Sequence, residues 1–258
     1  MNYYISGQSG FIGGAIAKYL SRERQLVFAI PRDLSIYQLR TLFWYNNPDY
    51  IIHTATYGNH HEQKDFKQMV ETNIIETYNL FEAAATTNYK TFYNFTTSSV
   101  LLKDQTYYSI TKYCAEQLAG MYRNVINVRP YSVYGPGEAI HRFVPTVISY
   151  LNSGKEMVLD EWAKHAWIYI DDLVKALFAG ETELGGEFIS NRGIVSILED
   201  ISGKRLKYIP GNLRSYDCSD MPAPRICYTS IYEGLKQTYE YYTQRNNPNK
   251  TYPQFEER

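Results

Sequence analysis

Short apolar runs alternate with longer amphipathic stretches over the first two-thirds of the chain, the order expected of successive βαβ units that build a parallel sheet. Runs with strand character lie at residues 3–6, 26–30, 50–54, 91–96 and 125–130. Between them, helical spacing predicts helices at residues 11–20, 36–44, 66–86 and 108–122. In the third helix Val70, Ile74, Tyr78, Phe81 and Ala85 recur at steps of three and four, which predicts the stripe that faces the sheet. The resulting expectation is an α/β fold, a Rossmann-type doubly wound parallel sheet.

After Arg129-Pro130 the alternation loosens, and Pro136, Pro145, Pro210, Pro222 and Pro224 interrupt the apolar pieces. A smaller C-terminal substrate-binding lobe is expected there. The division reads as a dinucleotide-binding domain at 1–135 and 165–192, with the lobe at 136–164 and 193–258. A last amphipathic helix is predicted at 231–242, ahead of a polar tail.

Directly after the first strand comes Gly7-Gln8-Ser9-Gly10-Phe11-Ile12-Gly13, three glycines at a spacing of three that lead into a helix. Gly7 suits a tight turn, Gly10 lets backbone amides approach a pyrophosphate, and Gly13 lets the helix pack closely on the sheet. The amides from Ser9 through Phe11, Ile12 and Gly13 then meet the phosphates at the positive end of a helix. A strand before the loop and a helix after it make this a dinucleotide signature rather than a loose glycine loop. At the end of the second strand, Pro31-Arg32-Asp33 places Arg32 where the extra phosphate of NADP would lie, so NADP is favoured; Asp33 keeps NAD open.

Composition narrows the partners. The chain has 258 residues, with 26 basic and 27 acidic side chains spread along it for a net charge of −1, so neither nucleic acid nor an anionic membrane is expected as a partner. No apolar run approaches the roughly 18 residues of a membrane helix, and the start lacks a secretory pattern, which points to the cytoplasm. Cys114, Cys218 and Cys227 match no disulfide or zinc spacing, and no metal is expected.

Tyr108 and Lys112 stand four residues apart, on one helix face. A phenol is a poor base at neutral pH, but a neighbouring ammonium and a cationic nicotinamide ring both favour phenolate. Spacing alone is weak support in a chain with 26 tyrosines, and Tyr232 with Lys236 repeats it in the last helix. Context separates them: Tyr108 follows a strand ending in Thr96-Thr97-Ser98-Ser99, and hydroxyls at that end of a parallel strand sit where ligands bind.

The glycine loop, His53-Thr54-Ala55-Thr56, Asn73, the hydroxyl run, Tyr108 with Lys112, Arg129-Pro130-Tyr131-Ser132-Val133-Tyr134-Gly135-Pro136-Gly137 and Trp167-Ile168-Tyr169-Ile170-Asp171-Asp172-Leu173 occur in one order. In these the chain resembles the extended short-chain dehydrogenase/reductase family, in its branch of NAD(P)-dependent nucleotide-sugar epimerases, dehydratases and reductases. The resemblance implies Tyr108 as acid/base, Lys112 on the nicotinamide ribose, and Thr97 on the reacting sugar oxygen with Ser98 and Ser99 beside it. It also implies Thr54, Ala55, Thr56 and Asn73 around the cofactor, and a homodimer through the helices at 66–86 and 108–122. Departures carry information as well. Ser98-Ser99 stands where the family's dehydratases carry Asp-Glu and where a double epimerase carries a cysteine, so neither reaction is expected. The loop between Val100 and Tyr108 is short for the family. His165 stands where an arginine usually grips the substrate's pyrophosphate, with Lys164 or Arg214 as candidates to compensate. The expected activity is therefore an NAD(P)-dependent epimerase or 4-keto reductase acting on a nucleoside-diphosphate sugar. The competing expectation is a non-catalytic dinucleotide-sensing regulator of the same fold.

Overall fold

The alternating pattern resolves into regular elements in a computed structural model, which describes residues 1–60, 62–211, 221 and 223–245. The chain runs through β1 (Asn2–Ser6), α1 (Phe11–Arg22), β2 (Leu26–Ala29), α2 (Ile36–Asn46), β3 (Tyr50–His53) and α3 (Phe66–Val70). A π-helical turn (Glu71–Ile75) leads into α4 (Glu76–Ala84) and β4 (Thr91–Phe95); a 3-10 turn (Ser98–Leu101) precedes α5 (Tyr107–Ala119) and β5 (Val125–Pro130). Then follow β6 (Ser132–Tyr134), α6 (Phe143–Ser153), β7 (Glu156–Leu159), β8 (Lys164–Tyr169), α7 (Ile170–Phe178) and β9 (Glu183–Leu184). The last elements are β10 (Glu187–Ser190), α8 (Asn191–Ser202), β11 (Lys207–Pro210) and α9 (Ile231–Arg245).

Two compact units divide these elements, the first made of Met1–Tyr131 and Leu173–Leu184, the second of Ser132–Asp172 and Gly185–Arg258. In the first, six strands form one parallel sheet in the order β2-β1-β3-β4-β5-β9. All five strands expected from the sequence are present. The chain steps outward from β1 to β2 and returns on the other side at β3, so the order reverses between β1 and β3. In open α/β sheets ligands bind at such a switch point, beyond the carboxyl ends of the strands. Ile5, Ile51, Ile52, Phe92 and Val128 are fully buried in the sheet. Leu39 and Phe43 of α2 join Leu80 and Phe81 of α4 over Tyr4, Ile51 and Phe92.

One expectation is corrected here. The stripe predicted in the third helix does not face the sheet as a set: Phe81 is buried, but Tyr78 and Ala85 are exposed. The inward positions are instead Met69, Asn73, Thr77, Leu80, Ala83 and Ala84. The π-helical turn shifts the helical phase, and the two polar side chains on that face are kept there by hydrogen bonds described below.

The second unit carries a three-stranded sheet, β10-β8-β6, and a parallel pair, β11-β7. β8 pairs antiparallel with β10 and parallel with β6. Its core gathers Tyr134, Trp167 and Tyr169 with Val147, Ile148, Val195 and Leu198. The Asp172 carboxylate accepts from the Tyr228 and Thr229 amides (3.0 and 2.7 Å) and from the Thr229 hydroxyl (2.8 Å), which ties the approach to α9 onto this core. No helix among the described residues is long and apolar enough to cross a membrane.

Candidate active site

At the end of β1 the chain turns through Gly7, whose φ of +72° is left-handed, and whose missing Cβ would lie 2.7 Å from the Ala55 amide nitrogen. A Cβ on Gly13 would lie 2.3 Å from the Gly7 carbonyl oxygen, so α1 packs against the turn at a distance only glycine permits. Gly10 differs: a Cβ there would meet only the Gly7 oxygen, at 3.2 Å, and otherwise open space. Gly10 is also the N-cap of α1 and has no side chain, so no side-chain cap covers the amides of Phe11, Ile12 and Gly13. Ser9 is exposed beside them, and Gln8 buries an Oε1 that has no hydrogen-bond partner. An uncapped helix N-terminus behind a cradle with no side chain, at the sheet's switch point, fits the diphosphate of a dinucleotide.

Beyond β2, Arg32 is exposed and Asp33 adopts a left-handed φ of 58°. Glu76 on α4 faces this loop. Burial raises its carboxyl above the usual carboxylate range, with Asp33 and Glu71 adding to the rise and Arg32 opposing it. The charges of Arg32, Asp33 and Glu71 thus all act on Glu76, a residue the linear sequence did not place beside this loop.

The carboxyl ends of β1 and β3 are joined by a buried chain of hydrogen bonds. Ser6 Oγ lies 2.5 Å from His53 Nδ1, and His53 Nε2 lies 2.9 Å from Thr77 Oγ1. Thr77 spends its own proton on the Asn73 carbonyl at 3.0 Å, so it accepts from His53, which assigns the proton to Nε2 and leaves Nδ1 to accept from Ser6. Burial drives the His53 pKa down from 6.5 to about 3, with the charge of Lys112 adding to the fall, so the ring is neutral. Thr54 Oγ1 donates to the Ser6 carbonyl (2.8 Å) and packs under the glycine turn. Asn73, in the middle of the π-helical turn and fully buried, uses its whole amide. Its Oδ1 accepts from Thr56 Oγ1 and the Tyr57 amide (both 3.0 Å), and its Nδ2 donates to the Tyr57 carbonyl (2.8 Å) and to Thr111 Oγ1 (3.0 Å).

Helix α5 begins with a capping box in which Thr106 Oγ1 accepts from the Ser109 amide (3.1 Å) and Ser109 Oγ from the Thr106 amide (2.7 Å). This fixes the first turn, where Tyr108 sits half-buried. One turn on, Lys112 is only 2 % exposed. Burial lowers its pKa from 10.5 to about 8, and Glu116 opposes the fall. At neutral pH the ammonium form still predominates. Glu116 is itself held by Arg129 (2.7 and 2.9 Å) and by the hydroxyl of Thr96 at the end of β4 (2.5 Å), while Arg129 also reaches Glu183 (2.8 Å). Tyr232 and Lys236 are both exposed on α9, so the repeated spacing there lacks the buried setting of Lys112.

Thr97 caps the 3-10 turn: its oxygen accepts from the Ser99 amide (3.2 Å) and its proton goes to Ser99 Oγ (3.1 Å). One lone pair of Thr97 Oγ1 remains for a ligand. Ser98 is fully buried and its hydroxyl has no partner, and no carboxylate stands between Thr97 and Leu101. Helix α5 packs beside both this turn and the π-helical turn, which brings Thr97, Tyr108, Lys112 and Asn73 to one region of the first unit. His165 belongs to the second unit, buried on β8 with its ring 5.3 Å from that of Trp167. Arg214 lies outside the described residues. Among the described residues no group of three or more His, Cys, Asp or Glu side chains is placed to hold a metal ion.

Sequence reasoning did not single out Thr77, Thr111 or Glu116. Only the spacing of Thr111, between Tyr108 and Lys112, could have drawn notice to it.

Proteins of known activity are similar to this chain in sequence and in fold. The chain is 30 % identical over 203 residues to CDP-abequose synthase of Salmonella typhimurium, covering 67 % of each protein. It is 25 % identical over 269 aligned positions to UDP-glucuronate 4-epimerase of Thermodesulfobacterium geofontis, covering 80 % of this chain and 83 % of the other. The crystal structure of UDP-glucuronic acid 4-epimerase from Bacillus cereus, in complex with UDP-glucuronic acid and NAD, superposes with a TM-score of 0.80 at 21 % identity, over 95 % of this chain and all of that one. The glycine turn, the switch point and the α5 pair all fall within residues 3–183, which match the model of the NAD dependent epimerase/dehydratase family, and the chain belongs to that family.

Proposed function

We propose that the protein is an NAD-dependent epimerase acting at C4 of a nucleoside-diphosphate sugar. The observation that carries this reading is the buried Lys112 one turn after Tyr108, on a helix whose first turn is fixed by a capping box and by Thr111. The relatives named above support the substrate class. The glycine cradle and the uncapped end of α1 would hold the diphosphate of NAD, and Lys112 its nicotinamide ribose. The chemistry supplied by bound NAD is the reversible two-electron oxidation of a carbinol. Tyr108, as phenolate, takes the proton of the C4 hydroxyl and returns it after the 4-keto sugar has turned over. Lys112 stabilises the phenolate, and Thr97, turning its proton from Ser99 Oγ, donates to the C4 oxygen. Ser98 and Ser99 supply no carboxylate to move a proton at the neighbouring carbon, which disfavours dehydration.

NAD rather than NADP is supported by the NAD held in the similar UDP-glucuronic acid 4-epimerase structure. Asp33 beside Arg32 in the chain, and Glu76, on which Arg32 acts through its charge, would oppose a 2′-phosphate placed there. That reverses the preference Arg32 suggested by itself.

The test is turnover of UDP-glucuronic acid, UDP-glucose and CDP-linked hexoses by the purified chain. Epimerised product without net consumption of dinucleotide is expected, with Tyr108→Phe slower by about a hundredfold or more. Stoichiometric oxidation of NADPH would replace the reading with a 4-keto reductase. Unchanged turnover in the Phe variant would remove Tyr108 from the chemistry.

A further inference from the structure

We propose that Thr111 is a positioning residue for Tyr108, tying the turn that carries the phenol to Asn73 and hence to the strand ends that line the cofactor crevice. This rests on the acid/base reading of Tyr108. The hydroxyl of Thr111 donates to the backbone carbonyl of Tyr108 at 2.9 Å and accepts from Asn73 Nδ2 at 3.0 Å. A threonine inside a helix often bonds to the preceding turn, and by itself that bond means little. What is particular here is the second partner. Asn73 reaches across from another helix, and it sits in the π-helical turn Glu71–Ile75, a distortion found mostly where function requires it.

Both groups are dry: Asn73 is fully buried and Thr111 is 1 % exposed, so no water replaces a lost partner. Asn73 cannot follow Thr111 if the helix drifts, because its remaining bonds clamp Thr56 and both backbone groups of Tyr57. Its carbonyl accepts from Thr77, which continues through His53 to Ser6, the residue before Gly7. An unbroken run of hydrogen bonds therefore links the start of the glycine turn to the backbone of Tyr108. The methyl of Thr111 narrows its rotamers, so the hydroxyl is held ready between its two partners. Loss of the hydroxyl frees the Tyr108 turn to move relative to Lys112, one turn further along the same buried face. The phenolate then loses part of its support from the ammonium.

The experiment is a pH titration of the full chain saturated with NAD, followed by NMR of tyrosine labelled with carbon-13 at Cζ, with Tyr108→Phe identifying the Tyr108 resonance. Wild-type Tyr108 is expected to ionise well below the ordinary phenol value of about 10. Thr111→Val is expected to make it roughly a tenfold weaker acid, and Thr111→Ser to restore it. A purely structural role would lower the melting temperature of the valine variant without moving this titration. Tyr108 titrating identically in wild type and Thr111→Val would overturn the positioning role and leave the acid/base reading standing. Ordinary ionisation of Tyr108 in the wild type would overturn the acid/base reading itself. Thr111→Ala removes the same hydroxyl with a better helix former and carries the measurement if the valine variant does not fold.

Discussion

Burial moves the titration of single residues in this protein well away from their solution values, and His53 is a clear case. Folding keeps its ring neutral down to about pH 3, whereas the unfolded chain protonates it near 6.5. Between those values the unfolded state binds more protons, so stability falls as pH falls through the window and is unaffected by this group above it. The loss from His53 amounts to about 1.4 kcal/mol for each pH step below 6.5. Urea unfolding of wild type and His53→Asn at pH 7 and pH 5 checks this. The variant is expected to be weaker at pH 7, because Ser6 and Thr77 lose their partner, yet to lose less on acidification. Equal acid losses in the two proteins would show that His53 does not titrate on unfolding. Lys112 displaces its own equilibrium in the same direction through the same burial. The charge of Lys112 acts on the ring, and the neutral state of the histidine spares the ammonium a second positive charge nearby. The sequence displayed both residues in family-like segments, but it could not display their mutual approach.

At the scale of elements, the parts most legible in the sequence were those with a local cause. The five strands read correctly because each is a short apolar run cut off by glycine, proline or hydroxyl-bearing residues, and α5 read correctly to within a few residues. The third helix read wrongly in detail. A regular helical period was assumed where Glu71–Ile75 is π-helical, and the inward polar pair Asn73 and Thr77 is held by partners from β3 and α5 that no local window contains. The second unit was the least legible, since β6, β7, β10 and β11 are short and its strands pair with partners distant in the chain. The α1 packing gives a sharp element-level prediction. A methyl at Gly13 would press on the Gly7 backbone oxygen at 2.3 Å, so either the helix or the turn must move. Gly13→Ala is expected to cost about 1–3 kcal/mol as an overpacking change and to abolish the stabilisation that NAD gives in a thermal-shift titration. Gly10→Ala is expected to cost less than Gly13→Ala, because its Cβ would meet the Gly7 oxygen at 3.2 Å rather than 2.3 Å, while also weakening the NAD shift. A Gly13→Ala protein with wild-type stability would show that the contact relaxes at no cost.

For the molecule as a whole, the face formed by α3, α4 and α5 sets an expectation that no single element does. Phe66 of α3, Ile75 of the π-helical turn and Tyr78 of α4 are exposed, as are Tyr107, Ile110 and Tyr113 of α5, and the rings of Phe66 and Tyr107 meet at 4.6 Å to join the two sets. Isolated exposed apolar side chains are ordinary, but contiguous apolar faces on soluble chains are rare and mark association. A two-fold dimer would bury such a face against its own copy, each helix pair covering the other. The same two helices carry Asn73, Thr111, Tyr108 and Lys112 on their inward side, so pairing would stiffen the segments that hold the reactive groups. Light scattering is expected to give twice the chain mass of 30.0 kDa for the wild type. Ile110→Glu is expected to give the single-chain mass, because a charge buried against its own symmetry copy is strongly disfavoured. The Glu variant should keep its stabilisation by NAD, since Ile110 points away from the crevice side of α5. A wild type that scatters as one chain at micromolar concentration would remove the dimer and leave the exposed face to some other partner.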